Sequence, residues 1–174
     1  TVTGLLSTTT TGGVGSTTTF GTTTAGSMNV TSTGAVSQTG TISTGGATFS
    51  AAGQAINLTT NGATNNFTGT VNLTGATTQI TDVNALTLGT LATGALTVGS
   101  TGALNLGQGT VTGNLVANSG GSGNTQSGNL PGTGTRGMTA TGKSLTLHQA
   151  ANGRQDNGKH AGRARRGTAR RRQG

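Results

Sequence analysis

Apolar and polar positions alternate along the middle of the chain in phrases of three residues. MNV at 28–30, INL at 56–58, VNL at 71–73, LTL at 86–88, LTV at 96–98 and LNL at 104–106 share one form: apolar, polar, apolar. AVS, TIS and ATF at 35–37, 41–43 and 47–49 belong to the same series. Period-two alternation puts successive side chains on opposite faces of an extended strand. Gly, Asn, Ser and Thr separate the phrases, which is turn chemistry. A helix needs 3.6-residue spacing and few glycines, and 34 of the residues are Gly.

The phrase cores follow one another at intervals of 6 to 15 residues. Such an imperfect repeat of short strands fits either a sandwich or barrel, or a solenoid. Composition separates the two. Aromatic residues make up 2% of the chain and charged residues 7%, too few for the faces of an ordinary sandwich. In a solenoid, like residues stack at about 4.8 Å from turn to turn, and stacked like charges repel. A wall of Thr, Asn and Gly carries no such penalty. The expected fold class is therefore all-β: a parallel β-helix, or solenoid, followed by a disordered basic tail. A single coil loses more backbone entropy than its few buried side chains return. Coils must shelter one another, and uncapped ends are expected to self-associate.

Distribution sharpens this division. Leu, Ile, Val and Phe supply 29 of 174 residues, 21 of them within 28–116, whereas residues 117–174 hold Leu130, Leu145 and Leu147 alone. Three segments follow: a weakly ordered Thr/Gly-rich β segment at 1–27, a β-helical repeat region at 28–125, and a low-complexity Gly/Arg tail at 126–174. The net charge is +8, yet residues 1–135 carry one charged side chain, Asp82; all ten Lys and Arg lie from Arg136 to Arg172. The chain starts at Thr1, shows no basic-then-apolar leader and holds no apolar run of about 18 residues. It reads as a piece of something longer. It holds no cysteine.

The stretch 34–98 resembles the repeats of large filamentous-haemagglutinin-type secreted bacterial adhesins, and autotransporter passengers share the style. "NNFTGTVNLTGA" at 65–76 and "ITDVNALTLG" at 80–89 carry the likeness most clearly. It extends over roughly 28–125. The resemblance implies a right-handed parallel β-helix that serves as a secreted stalk on the outer surface of a Gram-negative bacterium, exported through an outer-membrane secretion barrel. It implies host or bacterial cell-surface molecules as partners. The secretion domain that opens such proteins has no recognisable counterpart in this sequence.

The tail admits two readings. "NGRQDNGKHAGRARRGTARRRQG" suits nucleic acid or an anionic surface, although no aromatic ring is interleaved for base stacking. Alternatively, codons exist for 156–173 whose shifted frame spells TVNMQGA, close to TVNLTGA at 70–76. On that reading the text after about 152 is out of frame, and no specific nucleic acid is expected.

Chemistry is sparse. Polysaccharide lyases and hydrolases built on β-helices need clustered acids or bases, and the acidic residues are Asp82 and Asp156 alone. Asp82 reads as a turn residue that hydrogen-bonds the backbone two positions on. His148 and His160 lack metal-ligand spacing. Lys143 in "ATGKSLTL" lacks the phosphate-loop spacer. Asn-x-Thr triplets at Asn29, Asn57, Asn66 and Asn72 are read as products of composition rather than as glycosylation sites. Ice binding by threonine arrays requires coils in register, which the uneven intervals argue against. The expectation is a structural, adhesive repeat segment: not an enzyme, with no catalytic residue, cofactor or metal. The alternative is a basic low-complexity protein acting through its tail.

Overall fold

The computed structural model describes residues 1–141 except 14, 61–63 and 122. The tail from 142 onward, with its proposed change of frame, lies outside them, as do Lys143, His148, Asp156 and His160. The described residues form fifteen strands in one sheet, every pairing parallel. They are β1 (Val2–Thr10), β2 (Thr18–Phe20), β3 (Thr23–Ser32), β4 (Val36–Gln38) and β5 (Ile42–Thr44). Next come β6 (Ala47–Ala51), β7 (Ile56–Leu58), β8 (Asn66–Phe67), β9 (Thr70–Asp82) and β10 (Leu86–Ser100). The last are β11 (Leu104–Asn105), β12 (Gln108–Val111), β13 (Leu115–Ser119), β14 (Asn124–Thr125) and β15 (Arg136–Ala140).

Strands pair with strands one turn away along the chain, which winds as a parallel β-solenoid of about seven turns. Three walls repeat. The first stacks β1, the second half of β3, β6, the first half of β9, the middle of β10 and β12. The second stacks β2, β4, β7, the end of β9, the end of β10, β13 and β15. The third begins with the start of β3, β5 and β8, and continues with the start of β10, β11 and β14. β9 and β10 run round a corner without interruption.

The second wall shows the principle. Thr18, Val36, Ile56, Thr78, Leu96, Leu115 and Arg136 pair in succession, forming one inward column. Beside it, Leu58, Ile80, Val98, Ala117 and Met138 form another. The phrases INL, LTL, LTV and LNL each bury both apolar members and leave the middle residue at the surface or half-buried. Three of the edge-to-edge bonds that join turns are Val36 N–H to Ala55 O at 2.9 Å, Leu96 N–H to Asn114 O at 2.8 Å, and Leu115 N–H to Thr135 O at 2.8 Å. Because each turn buries only a few side chains, the core is a continuous rod of contacts along the axis.

The rungs of the second-wall column are 18 to 22 residues apart, yet its register never slips. Spare residues are taken up at the corners, and the walls stay aligned. The outward column Thr9, Thr31, Ser50, Thr74, Ala92, Thr110 is likewise held rung on rung. The uneven intervals therefore do not put the outer residues out of register; Ser50 and Ala92 are what break a uniform threonine array. The winding takes in chain on both sides of 28–125, from Val2 through Ala140.

Candidate functional site

Several of the polar groups buried in the solenoid gather at the corner where the second wall hands over to the third. Asp82 ends β9 there, and Ser100 and Ser119 occupy the same column in the next two turns. Asp82 is 2% exposed. Its Oδ1 accepts the Phe67 N–H at 2.9 Å and its Oδ2 accepts the Asn84 N–H at 3.2 Å. The second contact is the local turn bond expected from the sequence; the first reaches back a full turn and ties two coils together. Burial raises the Asp82 carboxyl above the ordinary aspartate range, and the Phe67, Asn84 and Val83 N–H groups pull against it. Each oxygen accepts a backbone N–H, so the group holds the corner together.

Asn65 is the denser node, fully buried. Its side chain exchanges two 3.0 Å bonds with Gln38, amide to amide. Oδ1 also accepts the Ile42 N–H at 2.9 Å, and Nδ2 donates to Leu58 O at 3.0 Å. Its backbone carbonyl receives the Val83 N–H at 2.8 Å. The sequence reading missed Asn65, Gln38 and Asn124, because asparagine in a Gly/Thr/Asn-rich text reads as a turn. One signal was available. Asn65 and Asn124 each fall seven residues after a column member, Leu58 and Ala117.

An open groove of about 590 Å³ runs along this edge, outside the corner. Thr59, Thr81, Gly99, Asn118 and Thr139 line it on successive turns. Thr81 Oγ1 and Ser119 Oγ, also in the lining, are buried and meet no partner among the described residues. Asp82 also lines the groove, and the rest of the lining is uncharged and rich in hydroxyl-bearing residues. Among the described residues no group of three His, Cys, Asp or Glu could hold a metal ion.

The four Asn-x-Thr asparagines lie on outward-facing or half-buried positions of four different strands. Three of them spend their amides internally. Asn57 Oδ1 accepts from Thr59 N–H at 3.1 Å, Asn66 Oδ1 from Asn84 Nδ2 at 3.0 Å, and Asn72 Oδ1 from Thr90 N–H at 2.8 Å. Asn29 and Asn72 share one outward column through Thr48.

At the last described turn, Arg136 points into the core from β15. Burial lowers its pKa from the ordinary arginine value. The sequence reading grouped this arginine with the basic tail; the structure makes it a rung of the inner column.

Fold and corner together define a parallel β-solenoid repeat protein. Its sequence matches the family described as repeats of unknown function (DUF5649) over residues 3–74 and again over 93–156, and the chain belongs to that family. No curated protein and no solved structure matches the chain. Each of the two matched stretches takes in three rungs of the Thr18–Arg136 column.

Proposed function

We propose that the chain is a non-catalytic structural segment of a large adhesive surface protein, secreted through an outer-membrane barrel to the outside of a Gram-negative bacterium. The observation that supports it is the unbroken column from Thr18 to Arg136. Turns stacked in this way form a stiff spacer whose length grows by repetition, at about 4.8 Å per turn. Its outer faces offer many neutral hydroxyl and amide groups and almost no charge, which suits weak contacts multiplied by display. The edge strand β1 supports self-association as well. Among the described residues it pairs with β3 alone, it carries no charge or proline, and Leu5 is 59% exposed.

The test is to couple the 174-residue chain to beads at graded densities and measure retention on epithelial and bacterial cells. Retention that climbs far faster than density is the expected result. Retention equal to that of blocked beads at every density would remove the adhesive role.

A further inference from the structure

The last described turn breaks the pattern in two walls at once. Residues 126–135, between β14 and β15, lie over the edge of β12 in the first wall but form no strand. Gly109 N–H reaches Asn129 O at 3.0 Å, and Val111 N–H reaches Pro131 O at 3.1 Å. Pro131 is the one proline of the sequence, and it has no N–H to return to β12. In the second wall, Arg136 is paired with Leu115, which stands on Leu96. Its buried guanidinium therefore takes a place that its two predecessors give to leucine. Nη2 reaches across to the first wall, donating to Val111 O at 3.0 Å and approaching Leu130 O at 3.4 Å. One turn earlier Thr93 O, whose residue pairs with Val111, accepts a backbone N–H from Thr112 at 2.9 Å. At Val111 a side chain has taken over that inter-turn bond. Glycine at 132 makes room for it, since a Cβ there would collide with Nη2 and with the Val111 carbonyl.

Covering a strand edge with a loop, setting proline on it and pointing a charge inward are devices by which sheets refuse further strands. All three meet in this one turn. A second copy stacked on it would press an apolar column against a guanidinium whose Nε and Nη1 are already unpaired. We propose that residues 126–141 cap the solenoid against a second copy of the chain. β1 is built in the opposite way: nine residues without charge or proline, paired with β3 alone among the described residues. No charged side chain lies within 1–81, so two copies meet at β1 without like-charge repulsion. A β1-to-β1 contact uses the same surface on both copies and closes on itself. Association therefore ends at a pair and does not run on into a filament. The pairing rests on the self-association proposed above; the cap does not.

The test follows sedimentation of the full 174-residue chain over a wide range of concentration. It compares the parent, Leu5→Lys, and an opened variant carrying Pro131→Thr with Arg136→Leu. The cap predicts that the parent stops at two copies, that Leu5→Lys stays single, and that the opened variant grows past two. It is overturned if the parent grows past two, if Leu5→Lys still pairs, or if the opened variant behaves as the parent does. A parent that stays single at every concentration removes the pairing through β1 alone. The opened variant then pairs if the cap holds and stays single if it does not. If the opened variant does not fold, Pro131→Thr alone takes its place, with the same expected and contrary results.

Discussion

Asn65 and Asn124 hold the same place in two turns of the solenoid. Each donates from Nδ2 to a carbonyl seven residues back, Leu58 O at 3.0 Å and Ala117 O at 3.4 Å. Each also reaches forward into the next turn, to Thr81 O at 3.4 Å and Thr139 O at 3.2 Å. Their oxygens differ. Asn65 Oδ1 accepts from Gln38 and Ile42, whereas Asn124 Oδ1 has no partner among the described residues. Alanine at 65 strands a buried N–H, an amide and a carbonyl, so we expect a loss of about 3 kcal/mol; alanine at 124 is expected to cost about 1 kcal/mol. Urea melts of the two variants check the ratio.

The three phenylalanines of the chain form one edge-to-face series. Phe20 and Phe49 rings are 6.4 Å apart at 77°, and Phe49 and Phe67 are 6.4 Å apart at 90°. Phe49 is the shared member and is fully buried. Phe49→Ala is expected to cost about 3–5 kcal/mol by calorimetry, more than the truncation of any single Leu in the column, because it also ends both ring contacts.

Two glycines with similar backbone angles are expected to respond differently to alanine. Gly107 has φ of 65° and Gly53 has φ of 72°. A Cβ at 107 would strike the Gly89 and Leu88 carbonyls of the neighbouring turn; one at 53 meets nothing within 4 Å. Gly53→Ala should cost about 1 kcal/mol, the strain of the left-handed backbone alone. Gly107→Ala should cost about 3 kcal/mol, because strain and a close inter-turn approach combine. Denaturant midpoints distinguish the two.

Asp82 sets a pH dependence with a definite sign. Burial raises its folded pKa, so the native state holds the proton after the unfolded chain has released it. Its contribution to stability is complete below the unfolded pKa and is lost as pH rises through the folded one, at no more than about 1.4 kcal/mol per pH unit. Melting temperature should fall as pH climbs out of the acid range, and Asp82→Asn should flatten that part of the profile. A wild-type profile that rises over the same range would contradict the assignment.

Much of the fold was legible because alternation survives wherever an apolar residue faces in and a polar one faces out, as at Leu86, Thr87 and Leu88. It failed where threonine serves both faces. Thr18, Thr44, Thr78 and Thr93 are buried, while Thr19, Thr87 and Thr97 are exposed, so period two leaves no contrast to read. The segment 1–27 is rich in such residues and carries β1, β2 and the start of β3. Corner lengths were equally opaque, because spare residues between walls carry no register of their own. Of the polar corner, Asp82 and its turn bond were read from the sequence. Its bond to Phe67 needs the winding to bring residues fifteen apart together, as does the Asn65–Gln38 exchange across twenty-seven.

The central claim is that turns stack rung on rung. The outward column Thr19, Ser37, Asn57, Gln79, Thr97, Val116 measures it directly. Spin labels at Ser37 and Val116 are four rungs apart, and labels at Thr19 and Val116 are five. Pulsed electron–electron resonance should give narrow distributions centred near about 19 Å and about 24 Å, one inter-strand spacing apart. Broad distributions, or distances that do not grow by one spacing per rung, would contradict the solenoid.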